Sequence, residues 1–337
     1  MKHQTFFKAV LCCSLMVMVM LSAQVRAQPS SSRGRGLYGD WQIKMKFGER
    51  QLDSILSFSR SQEGQYVGHW ISFFGMIVLK DVKFEDNKLS FTQVIRFQDQ
   101  ERTSKFTGTI EQGELNGLLN SDRGETEIQG KRAPRIPRGV GSWEMKIKAG
   151  EREFTGTLII TVDKEGKLSG TWKSSRGESE VSDLKYEDRK LTFKRVIQRE
   201  NSQMEMAFEG TIGYNSLEGV FKSEAGEAAA EGTRVGASLI GTWNLDIESE
   251  QGTRKQRLRV NLDMSALYGP TLIKKINLDG DKVSFKYVLQ FGDQEYETSF
   301  EGKIAESKLT GELKTSRGTS KVTGTRRSFR RSRPSQR

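Results

Sequence analysis

Few residues in this chain could do bond-making chemistry. Beyond residue 27 there is one histidine, His69, and no cysteine, because Cys12 and Cys13 both fall in the first 27 residues. A Ser-His-acid triad would need His69. The run Gly68-His69-Trp70 puts it on the outward side of a strand, where a solvated surface residue is expected. The composition excludes His/Cys metal sites, so no metal is expected. No glycine-rich phosphate or dinucleotide loop follows a strand, and no cofactor is expected. Ser182-Asp183-Leu184-Lys185 fits an S-x-x-K string, but on a predicted strand rather than a helix. A pair of carboxylates could act as a glycosidase-type acid and base. However, Glu205, Glu209, Glu297 and Glu301 fall at outward positions, as a solvated face would place them.

Binding chemistry is better represented. Turns of one kind recur as Ser121-Asp122-Arg123-Gly124, Ser174-Ser175-Arg176-Gly177 and Thr315-Ser316-Arg317-Gly318. The hydroxyl can bond its own turn and the Gly supplies positive φ; the arginines could also form an anion-binding rim. One inward position carries Gln93, Arg195 and Tyr287 in three matching strings, and its facing position carries Arg102, Met204 and Tyr296. Such residues either line barrel ends or mark three different small cavities. Tyr287, Tyr296 and Phe291 make the third string the place to expect an open pocket. Aromatic rings with polar tips suit an amphipathic or carbohydrate-like ligand.

The elements that must position these residues come from a threefold internal repeat. Gly39-Asp40-Trp41 to Gly130-Lys131-Arg132 returns as Gly141-Ser142-Trp143 to Gly232-Thr233-Arg234. It returns again as Gly241-Thr242-Trp243 to Gly324-Thr325-Arg326. Within each repeat, short runs alternate apolar and polar residues between Gly, Asn and Asp turns, which is hairpin grammar. Leu89, Phe91, Ile95 and Phe97 share one face, with Ser90, Thr92 and Arg96 on the other. Val283, Phe285, Leu289 and Phe291 repeat the apolar set. The fold class expected is all-β: three tandem antiparallel up-and-down barrels of about eight strands each. A slip in the fourth strand's alternation predicts a β-bulge near Asp81, Asp183 and Lys275. Trp41 to Phe91 and Trp143 to Phe193 both span 50 residues, but Trp243 to Phe285 spans 42. The loss falls between Leu258 and Gly269, and predicts a shortened second hairpin, about four residues from each arm, and a lowered wall.

Gly-x-Trp on a first strand, a meander of about eight strands and a late arginine resemble the calycin group, the lipocalins and avidins. The resemblance implies that the tryptophan closes one barrel end against the late basic residue. The pairs would be Trp41 with Arg132, Trp143 with Arg234, and Trp243 with Arg326. An indole face receives a guanidinium by stacking and cation–π attraction. No ligand residues are carried over from that group.

The remaining segments give address and connection. Lys2 and Lys8 precede an apolar run from Ala9 to Leu21, and Val25-Arg26-Ala27 follows. Residues 1–27 read as a cleaved signal peptide, too short in apolar length for a membrane span. The expected location is therefore extracytoplasmic, periplasmic or secreted. Residues 28–35 are expected to be disordered, followed by a barrel over 36–132, a linker over 133–138 and a second barrel over 139–234. A linker over 235–238, a third barrel over 239–326 and a basic tail over 327–337 complete the chain. The formal charge of +11 falls to +8 once Lys2, Lys8 and Arg26 leave with the leader. Most of that charge sits in the first linker and the tail, so no repeat reads as a nucleic-acid platform. The tail could dock on an anionic envelope component. The first reading is a non-enzymatic binding or adhesion protein at the envelope, since three similar units suit multivalent contact. The alternatives are a lipocalin-like carrier using repeat three, and a secreted carboxylate hydrolase.

Overall fold

The computed structural model describes residues 36–327 except 48–49, 98–99, 200–201 and 292–293. The leader, the 28–35 segment and the tail beyond Arg327 lie outside the described residues, as does the side chain of Phe291. The chain is all-β, with three sequential meanders. The first comprises β1 (Gly39–Phe47), β2 (Arg50–Arg60), β3 (Tyr66–Ser72), β4 (Gly75–Val78), β5 (Lys80–Glu85), β6 (Lys88–Phe97), β7 (Gln100–Glu111), β8 (Glu114–Ser121) and β9 (Gly124–Arg132). The second comprises β10 (Gly141–Ala149), β11 (Arg152–Val162), β12 (Leu168–Ser174), β13 (Gly177–Glu187), β14 (Lys190–Arg199), β15 (Ser202–Ile212), β16 (Ser216–Ser223) and β17 (Gly226–Arg234). The third comprises β18 (Gly241–Ser249), β19 (Gly252–Val260), β20 (Ala266–Tyr268), β21 (Thr271–Ile273), β22 (Asn277–Asp279), β23 (Lys282–Phe291), β24 (Gln294–Ala305), β25 (Lys308–Thr315) and β26 (Gly318–Arg326).

In each meander the first strand pairs with the last, Trp41 opposite Arg132, Trp143 opposite Arg234 and Trp243 opposite Arg326. The second meander closes as an eight-stranded barrel. In the other two the fourth strand is broken, at Leu79 and between Ile273 and Asn277, so the sheet counts nine strands. The same strand carries a local irregularity in the first two barrels, whether or not it is broken. Asp81 and Asp183 sit at φ 53°, and the pairing slips between Lys80 and Lys83 and between Ser182 and Lys185. One extra residue in left-handed conformation is a bulge, which bends the strand so that the sheet can turn onto itself. At Lys275 the expected bulge is a break in the strand.

The interiors are filled by the same device three times. Phe91 stacks on Phe106 at 4.7 Å, Phe193 on Phe208 at 4.8 Å and Phe285 on Phe300 at 4.8 Å. The inner ring of each pair lies over two facing glycines. A Cβ on Gly108 would come 2.6 Å from Phe106 Cζ and 2.4 Å from the Asn116 carbonyl. Gly117, Gly210, Gly219, Gly302 and Gly311 are equally tight. These glycines therefore provide room for a ring, and a side chain there would expel it.

The eight residues missing from repeat three are shared between two turns. β20 has three residues where β12 has seven, and Ala266 and Tyr268 take the pairing places of Gly170 and Trp172. The third strand has thus lost two residues at each end, and each neighbouring strand two. Four from each arm of one hairpin was expected, so the site of loss is more distributed. The notch this leaves is occupied. The β3–β4 hairpin of the first barrel lies in it, with Ser72 O accepting from Gln256 Nε2 at 3.0 Å and Gly75 against the Lys255 carbonyl. The described residues from Leu37 onward form one compact unit.

Candidate functional site

The closed ends are built from the repeated motif. Trp41 Nε1 donates to Leu37 O at 3.0 Å, Trp143 Nε1 to Gly139 O at 3.0 Å and Trp243 Nε1 to Leu239 O at 2.8 Å. The late arginine covers each indole: Arg132 at 4.4 Å, Arg234 at 3.9 Å and Arg326 at 5.7 Å from the ring centre. Arg234 donates to the carbonyls of Val140, Arg138 and Tyr214, so its buried charge is well solvated by dipoles. Burial pulls its pKa down to about 10, which leaves it cationic. Arg132 donates to Tyr38 O, and Arg326 to Ala237 O and Ile240 O. Each guanidinium ties the segment entering its barrel to the last strand.

The opposite ends differ between barrels. In the third, Tyr287 is 6% exposed, stacked on Tyr268 at 5.1 Å and near Phe285 at 6.3 Å. Its hydroxyl bonds Thr298 and Tyr268, and burial raises its pKa. Tyr287 therefore belongs to the core. Tyr296 lies at the rim, half-buried, with the Arg317 guanidinium 5.3 Å from its ring. Of the two tyrosines, Tyr287 is the more deeply buried. In the second barrel Arg195 lies over Trp172, 4.4 Å from the ring centre. In the first, Gln93 is 5% exposed and Arg102 is exposed. The turn arginines sit at this same end. Their backbone N–H groups bond Ser121, Ser174 and Thr315 side chains at 3.2, 3.3 and 3.2 Å, so the hydroxyls serve the turns. Two surface depressions, of about 520 and 300 Å³, lie on the outer walls of the third and second barrels, over Gly302 in the one and over Gly210 and Gly219 in the other.

The most highly charged buried site is the junction of barrels one and three. Asp40, 10% exposed, accepts from Arg257 at 2.9 and 3.0 Å and from Arg259 at 2.7 Å. Arg257 is 3% exposed. Although burial opposes ionisation, the two guanidinium charges outweigh it and hold Asp40 down to about 2. Arg327 donates to Ser59 Oγ from the other side. His69, expected as a solvated residue, is half-buried here, and burial with the Arg327 and Arg257 charges lowers its pKa to about 4. It does face outward from its own barrel, but barrel three covers that wall. Ile55 and Ile71, outward by the same alternation, are 3% and 0% exposed. Two apolar residues at neighbouring outward positions were the signal that this wall is covered. Among the described residues, no group of three His, Cys, Asp or Glu side chains is placed to hold a metal.

No family model matches the chain, and no curated protein matches it. Solved structures do align. A provisionally assigned outer membrane protein from Bacteroides fragilis is 14% identical, with 58% of this chain and 97% of that one covered at a TM-score of 0.25. A DUF3598-family protein of unknown function from Nostoc punctiforme is 12% identical over 86% of this chain and 96% of its own, at 0.22. A transferrin binding protein B variant from Haemophilus parasuis is 11% identical over 86% of this chain and 74% of its own, at 0.19. At these scores the likeness carries no argument about function. No helix among the described residues is long and apolar enough to cross a membrane.

Proposed function

We propose that the chain is an exported, non-enzymatic binding protein, acting at the cell envelope through the ends and outer walls of three packed barrels. One observation supports this above the others: the three interiors are filled by their own stacked phenylalanines and tyrosines. A filled barrel works as a rigid scaffold, and contact is left to its surfaces. The ion-paired junction adds to this, since it holds two of the three units as one body and gives a multivalent surface a defined spacing. The leader accounts for export, and the Arg-rich tail from Arg326 to Arg337 for attraction to anionic envelope material.

The test is fractionation of cells expressing the full chain. The protein should be recovered outside the cytoplasm with Gln28 as its first residue, and retention inside with the leader intact would overturn the reading. Envelope association should weaken with salt and on removal of residues 328–337. The carrier alternative predicts that Tyr287→Ala and Tyr296→Ala weaken the binding of an apolar dye. Unchanged dye affinity in both variants is the expected result.

A further inference from the structure

We propose that the open end of the second barrel binds an oxyanion, the carboxylate or phosphate group of a small ligand, with Arg195 as its principal anchor. The charges and donors at this end are unbalanced. Arg195 is an inward residue of β14, half-buried, and its contacts are the Trp172 ring at 4.4 Å and the nearby charge of Arg176. Neither Arg195 nor Arg176 is ion-paired to a carboxylate among the described residues. Among the described residues, Arg195 Nε is cut off from water and has no acceptor. The indole beneath it is 1% exposed, and its own Nε1 also lacks an acceptor. Two buried donors on one stack are therefore unanswered, beside two like charges.

A donor left unmet inside a protein forfeits its hydration without replacement, so such donors are rare and call for a reason. The sister sites show that the fold can satisfy this position. In the third barrel the matching pair is Tyr268 and Tyr287, which bond each other, with Thr298 and Arg254 completing the set. At the closed end of the second barrel itself, Arg234 meets three carbonyls. Only an acceptor from outside would complete Arg195 in the same way. Such an acceptor is best negatively charged, because it must offset Arg195 and Arg176 together. Arg176 stands on the β12–β13 turn at the rim, in position to meet the ligand first. Met204 and Ile197 pair across the strands nearer the rim, which offers an apolar contact to whatever carries the anion.

The site stands independently of the envelope reading and is tested on the purified full chain after leader removal. The probes are inorganic phosphate and hexanoate, each titrated against chloride at matched ionic strength and followed by tryptophan fluorescence and thermal shift. Saturable binding of at least one probe is expected, falling at least tenfold in Arg195→Met and less in Arg176→Ser. Preference for phosphate would indicate a free or esterified phosphate group; preference for hexanoate would indicate a carboxylate with an apolar body. Because a buried cation lacking an acceptor burdens the unliganded fold, Arg195→Met should melt at or above the temperature of the parent protein. The proposal is overturned if neither probe binds beyond chloride, or if binding is unchanged in Arg195→Met. A large drop in melting temperature in that variant would also overturn it, by making Arg195 a structural residue.

Discussion

Replacing Asp40 by asparagine tests the barrel one–three junction most directly. The side chain keeps its shape and one acceptor oxygen, but the charge between Arg257 and Arg259 is lost. At contact distances of 2.7–3.0 Å, the Coulomb attraction of each pair is about 6 kcal/mol for an effective dielectric near 20. Breaking a buried pair from one side typically costs about 3–5 kcal/mol, because the stranded partner stays desolvated. Arg257, 3% exposed, would be that partner. The retained amide oxygen offsets part of the loss, so about 3 kcal/mol is expected, equivalent to roughly a hundredfold shift in the docking equilibrium. The three barrels need not unfold together, so a single melting curve would mix events. Amide hydrogen exchange reports on each strand separately. Protection of β4 and β19 should fall about a hundredfold in Asp40→Asn, whereas β14 and β15 should keep theirs. The double variant Asp40→Leu/Arg257→Met should recover most of the loss, since it removes both charges. Unchanged protection at β4 and β19, or equal loss in the second barrel, would refute the reasoning.

Three further outcomes follow from the same geometry. Gly210→Ala would put a methyl 2.6 Å from Phe208 Cζ and 2.7 Å from the Glu218 carbonyl. It should destabilise the second barrel by about 1–3 kcal/mol, read by urea denaturation, and a neutral result would contradict the ring-on-glycine packing. Arg234→Met strands three carbonyls, and should cost more than Arg326→Met, whose guanidinium sits 5.7 Å rather than 3.9 Å from its indole; thermal melting of the two variants checks the order. His69 has a folded pKa near 4 against an ordinary 6.5. The unfolded chain therefore takes up the proton first, and stability from neutral His69 is full above pH 6.5 and lost as pH falls toward 4. That contribution is at most about 3 kcal/mol, and His69→Gln should flatten the pH dependence of β4 protection across this window. Asp40 adds a second loss only below about pH 4, as pH falls from 3.8 toward 2.

The barrels were legible in the sequence because their determinants are local. Strand alternation, turn residues and the threefold spacing all recur within one repeat, so each copy checks the others. The stacked pairs such as Phe91 and Phe106, the inward glycines, and the slip at Asp81 and Asp183 all sit at positions that the period of two assigns. The missing eight residues of repeat three could also be counted from the sequence. What fills the gap they leave could not. A sequence gives each strand an inside and an outside, but not which outside faces another barrel. For that reason His69 read as solvated, while Ser72 and Gly75 of the first barrel in fact lie against Gln256 and Lys255 of the third. The same holds for the second barrel's open end. Arg195 could be read as inward from the repeat, but that it lacks an acceptor depends on every neighbouring strand at once. Hydrogen-bond satisfaction and inter-barrel burial are sums over residues far apart in the chain. Tertiary structure alone decides them.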